Sequence, residues 1–330
     1  MDEAVERLVK ACRDFGGGDP DQALRDATGR FVSRAVKEVS LLGQAAAQLP
    51  GLAPAGAAWM AVVLGGAIER ESKGVELSGP PLLSAFISWL PQLPVPNDQD
   101  EEAGAPDPTP AQAALLGVFP LVCQAVVSHL ARMPAERERL ARDEALVKRL
   151  EQIAGYSHGA IWVHEALLRV SGPLVVLHPP SGKGFRLRFS NVANCFHLFS
   201  LIQSVIGRRI PGGRNPDPGV GAAARGESNG KINDAAWWHY GDPRSATSNL
   251  AASIWGESRV RSIPVIEGVR VILLWPPQLA SRSWDSSFFA PHLAALPADA
   301  VLEAELNRPE CEAWLARLGI ERKKEWWKIW

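Results

Sequence analysis

The sequence predicts an α+β protein, with a helical N-terminal region followed by a small mixed or antiparallel sheet with flanking helices. Three observations carry that reading. Apolar residues recur at helical spacing up to position 170, the apolar period shortens to two from Ser171 onward, and ten of the twelve tryptophans fall from Trp162 onward. The organisation that follows is a helical region over 1–93, an acidic proline-rich loop or linker over 94–110, a continuing helical region over 111–170, and a Trp-rich α/β domain over 171–330.

The first helix is expected from Glu3 to Arg13, stopped by Gly16-Gly17-Gly18, after which Asp19-Pro20 supplies a cap and a first-turn proline. A second runs from Ala23 to Ala47 with a break near Gly43, and places Phe31, Ala35, Val39 and Leu42 along one stripe. Ala57 to Glu71 reads as a buried helix, and Leu82 to Leu90 as a short one ending before Pro91. The segment 94–110 holds five prolines beside Asp98, Asp100, Glu101 and Glu102, so it has little apolar area with which to offset the entropy of ordering. Helical patterning resumes over Ala111 to Leu130 and Glu136 to Ile153, the latter with the alternating charges of a solvated face.

Strand periodicity begins with Pro173 to His178. A turn at Pro179-Pro180-Ser181-Gly182-Lys183-Gly184 follows, and then Phe185 to Ser190 alternates Phe185, Leu187 and Phe189 with Arg186 and Arg188, a hairpin with one wet, basic face. Asn191 is positioned to cap a helix from Val192 to Ile206. The loop 211–232 is long, and long loops are commonly lids or binding loops. Further strands are expected at Ile254-Trp255, Arg259 to Val265 and Val269 to Trp275, the last ended by Pro276-Pro277. A helical pair, Ala298 to Leu306 and Pro309 to Leu318, leads to a basic, Trp-rich tail from Glu321.

Composition excludes several function classes. Lys plus Arg number 35 and Asp plus Glu 36, so the net charge of -1 creates no field to concentrate polyanions, and a nucleic-acid partner is not expected. Four cysteines, at positions 12, 123, 195 and 311, form no CxxC pair and point to a reducing, cytoplasmic compartment. No secretion signal is read at Met1 to Phe15, and no membrane span at Ala53 to Ile68, which is short and interrupted by Pro54, Gly56, Gly65 and Gly66.

No cofactor or metal motif passes its spacing test. Lys183 is followed by Gly184 and a strand rather than by the helix a phosphate loop requires. His164-Glu165 has Leu168 where a zinc protease has its second histidine. Cys195 and His197, two apart on a helix, diverge by about 200°. A catalytic site would therefore have to combine Cys195, His197, His239 and Asp242 from nonlocal positions, as a hydrolase or transferase. The reading the sequence favours is a non-enzymatic module that binds a protein or peptide through an aromatic surface. Trp237, Trp238, His239 and Tyr240 supply its rings, Asn233 and Arg244 its polar contacts, and Arg186 and Arg188 a basic wall.

Overall fold

The computed structural model describes residues 1–94, 107–228, 230–234, 238–245, 247–279, 281–285 and 295–320, so most of the acidic 94–110 segment and the tail lie outside the described residues. The chain divides into two compact units, Met1–Leu167 and Leu168–Trp330. The architecture is α+β, with helices first and a mixed sheet flanked by helices after them.

The first unit contains α1 (Glu3–Asp14), α2 (Gln22–Ala35), α3 (Ser40–Ala46), α4 (Pro54–Glu71), α5 (Val75–Trp89), α6 (Pro110–Arg132), α7 (Pro134–Leu140), α8 (Glu144–Ala154) and α9 (His158–Leu168). Asp2 starts α1 by accepting from the Ala4 N–H at 2.8 Å, and Asp21, rather than Asp19, starts α2 by accepting from Leu24 at 2.8 Å. These carboxylates meet backbone donors that have no intrahelical partner. Val5, Leu8, Val9 and Cys12 of α1 and Leu24, Phe31 and Ala35 of α2 are buried, which seals one face of each helix and leaves their polar positions outward. Gly56 of α4 lets the Cys12 carbonyl approach, since a Cβ there would lie 2.1 Å from that oxygen. Trp59, also on α4, donates its indole N–H to Thr28 Oγ1 of α2 at 3.0 Å.

The helix α6 is long and apolar enough to cross a membrane, although half of its most apolar window is buried within the protein. It carries Phe119, which stacks on Phe86 of α5 at 5.6 Å, and Gly65 of α4 admits its backbone at Ala125. It also carries His129, fully buried, with Nδ1 2.8 Å from the Ala125 carbonyl and Nε2 2.9 Å from Ser78 Oγ. A carbonyl can only accept, so Nδ1 bears the proton and Nε2 accepts from the serine.

The second unit is built on β1 (Val170–His178), β2 (Lys183–Val192), α10 (Cys195–Ile206), α11 (Pro218–Arg225), β3 (Lys231–Asp234), β4 (His239–Gly241), β5 (Val265–Ile266), β6 (Val269–Trp275), β7 (Arg282–Asp285), β8 (Asp299–Leu306) and α12 (Arg308–Arg317). The main sheet has the order β4-β6-β1-β2-β8, with β5 also paired to β6, and β3 and β7 form a separate ribbon. β1 pairs antiparallel with β2 and parallel with β6, so the sheet is mixed. One face presents Leu174, Val176, Phe185, Leu187, Phe189 and Ile272 to the apolar side of α10. The other presents Val175, Leu177, Val271 and Leu273 to Cys311, Trp314 and Leu315 of α12. Burial from both sides explains the uninterrupted apolar runs in β1 and β6.

Several local expectations change. Where a helix was expected over Ala298 to Leu306, Asp299–Leu306 forms the strand β8, because pairing with β2 and burial of Ala300 and Leu306 outweigh the helix propensity of its Ala, Leu and Glu residues. Ile254-Trp255 is not a strand, and Arg259 to Val265 contains a 3-10 turn at Val260–Ser262 and only the start of the short β5. Asn194 rather than Asn191 caps α10, and the long loop over 211–232 contains α11. Helix α5 begins seven residues before Leu82 and carries Pro80 and Pro81 internally. The break expected near Gly43 falls between α2 and α3.

Two outcomes follow. Gly56→Ala forces α1 off α4 and lowers unfolding stability by about 2 kcal/mol or more, read from the urea midpoint. Burial lowers the His129 pKa to about 4, against the raising effect of the Ala125 carbonyl, from 6.5 in the unfolded chain. Because the folded value is the lower one, the unfolded chain takes the proton first on acidification. The contribution of His129 to stability is complete above pH 6.5, falls as the pH drops from there to about 4, and is level below that. The loss amounts to about 3 kcal/mol, and His178 and His197, lowered mainly by burial to about 4 and about 3, add in the same direction. Urea midpoints measured from pH 7.5 to 4 should show this decline, and a flat profile would contradict neutral burial.

Candidate functional site

The described part of the aromatic segment expected to form an open binding surface, Trp238 to Tyr240, is part of the core. Trp238, His239 and Tyr240 retain only 6%, 4% and 1% of their accessible surface. The Tyr240 ring stacks on Phe199 of α10 at 3.7 Å between centroids, and its hydroxyl donates to the Phe199 carbonyl at 3.2 Å. Trp238 lies over Gly213, where a Cβ would come within 2.3 Å of the indole. Trp237 lies outside the described residues. The expectation of a protein- or peptide-binding aromatic surface in the C-terminal half is therefore corrected: the Trp238 and Tyr240 rings belong to the apolar cluster that includes Phe199 of α10. Asn233 is exposed on the β3–β7 ribbon. Arg244 is exposed and closes a tight turn on Asp242, donating from Nε to Oδ1 at 3.0 Å. Arg186 and Arg188 are both exposed on β2, and Arg188 is paired with Glu303 of β8 at 2.7 Å.

The nonlocal catalytic combination is also corrected. Cys195 is fully buried in the apolar cluster under α10, burial raises its pKa well above the usual thiol range, and it makes no hydrogen bond to an imidazole among the described residues. His197 is buried, and its backbone N–H donates to the Asn194 cap at 3.0 Å. Asp242 faces Arg244, whose hydrogen bonds outweigh burial and hold the carboxyl low, and it makes no bond to His239. Among the described residues there is also no group of three or more His, Cys, Asp or Glu placed to hold a metal ion.

His239 does meet a serine that the sequence reading did not single out. Its Nε2 is 2.6 Å from Ser253 Oγ, and its Nδ1 is 3.4 Å from Gln278 Nε2. The Gln278 amide is oriented by donating to the Ser248 carbonyl at 2.7 Å. It therefore presents N–H to Nδ1, so the imidazole proton sits on Nε2 and is donated to the serine. That is the reverse of base activation, in which the imidazole accepts from the hydroxyl. The adjoining cavity, lined by Leu250, Trp255 and Leu279 among others, measures only about 10 Å³, which is space for a water at most.

A larger concavity lies in the first unit, where α1 and α2 form a hairpin. It has a volume of about 420 Å³ and is lined by Glu3, Ala4, Arg7, Gly29, Arg30, Ser33 and Arg34. Each residue is placed by helical periodicity. Glu3 and Arg7 share one ridge of α1, while Gly29 with Ser33 and Arg30 with Arg34 form neighbouring i, i+4 ridges of α2. Arg7 pairs with Glu3, and Arg34 pairs with Asp2 at 2.9 Å and with Glu38 at 3.7 Å. Arg30 has no hydrogen bond or ion pair among the described residues. Ser33 donates its hydroxyl proton to the Gly29 carbonyl at 2.8 Å. A Cβ at Gly29 would meet nothing within 4 Å, because this glycine is exposed on the surface of α2. The sequence reading missed this cleft because its arginines look like ordinary solvated helix positions. The one local signal was an Arg30–Arg34 like-charge pair one turn apart.

The chain has no significant match among protein-family models, curated proteins or solved structures, so the reading of the site rests on its own residues.

One outcome distinguishes buried thiols from an activated one. All four cysteines are buried and free. Thiol titration of the native protein at pH 8 with a disulfide reagent should show no fast-reacting group, and four thiols should appear only on unfolding. A single rapid equivalent would restore Cys195 as a candidate nucleophile.

Proposed function

We propose that this protein binds a small organic carboxylate in the α1–α2 cleft. The observation that carries the proposal is Arg30, which has no hydrogen bond or ion pair among the described residues and which lines, with Arg7 and Arg34, a concavity of about 420 Å³. That volume is within the ordinary range for small-molecule sites. Guanidinium is planar and always charged, and its fork of N–H donors matches a carboxylate in two parallel bonds.

Two local costs meet at the same spot. Arg30 and Arg34 repel at i, i+4, which costs a few tenths of a kcal/mol, and Gly29 in the helix interior costs roughly 1 kcal/mol relative to alanine. Rules broken together without a packing reason are what a functional surface produces. Because the site is open to solvent and exposed ion pairs are weak, the expected binding is weak. The setting we assign is the cytoplasm, supported by four cysteines that remain free thiols in the fold.

Titration calorimetry with isovalerate tests the reading, with isoamyl alcohol as the uncharged control. The native chain should bind isovalerate and not the alcohol, and Arg30→Gln should weaken isovalerate binding about tenfold with an unchanged unfolding midpoint. Equal binding by native and variant chains, or no binding by the native chain, overturns it.

A further inference from the structure

We draw no further inference here: the strongest candidate, the uncharged surface stripe of α6 formed by Ala113, Ala114, Gly117 and Leu121, is an exposed helix face for which nothing in the structure shows what covers it.

Discussion

The seating of α1 on α4 through the absent side chain of Gly56 is the constraint on which the first unit's surface depends. The Cys12 carbonyl occupies the space a Cβ would take, so the buried face of α1, Val5, Leu8, Val9 and Cys12, is fixed in rotation. Once that face is inward, the three- and four-residue spacing of the helix sends Glu3 and Arg7 to the opposite side. The α2 helix is oriented in the same way by Leu24, Phe31 and Ala35, with a polar tie from Thr28 to Trp59. The cleft is thus a consequence of packing. Its ion pairs are solvent-exposed and individually weak, too weak to have set the helix geometry by themselves.

The second unit uses its aromatic residues in the opposite sense. A mixed sheet covered on both faces needs large apolar volume on each, and indole and phenol rings supply it. Trp238, Tyr240 and Trp284 fill the side beneath α10, while Trp275 and Trp314 fill the side beneath α12. The polar tip of Tyr240 is accommodated by a hydrogen bond, its hydroxyl reaching the Phe199 carbonyl. The histidines of this core are held neutral by desolvation, with His178 and His197 both lowered mainly by burial. Such groups share the chemistry of catalytic residues without the geometry, and His239 is the clearest case: its proton points at Ser253 because Gln278 fixes the other nitrogen.

The helical N-terminal region and the β1–β2 hairpin with Arg186 and Arg188 outward were legible because each is a local periodic pattern matched by burial, whereas α10 is buried beyond its apolar stripe, at His197, Ser200 and Gln203 as well. Where periodicity and propensity disagreed, propensity misled. The segment from 298 to 306 is composed of good helix formers, yet its residues pair with β2, and that contact depends on a partner more than a hundred positions earlier in the chain. The abundance of tryptophan was equally visible, but composition does not carry direction. Whether a ring faces a neighbour in the same fold or a molecule outside it depends on what stands opposite, and here that was Phe199 and Gly213.

What the sequence by itself determined is the class of the fold and the alternation of Phe185, Leu187 and Phe189 with Arg186 and Arg188, because each follows from hydrophobic period over a few turns or a few pleats. What only the tertiary structure decided is which polar residues stand together. Arg7 and Arg30 are 23 positions apart and adjoin one cleft because two helices lie side by side; Cys195 and His239, close in role on paper, are engaged with different neighbours. Charges and rings act through distance, and distance between remote residues is fixed by the packing of whole elements rather than by any pattern within one of them.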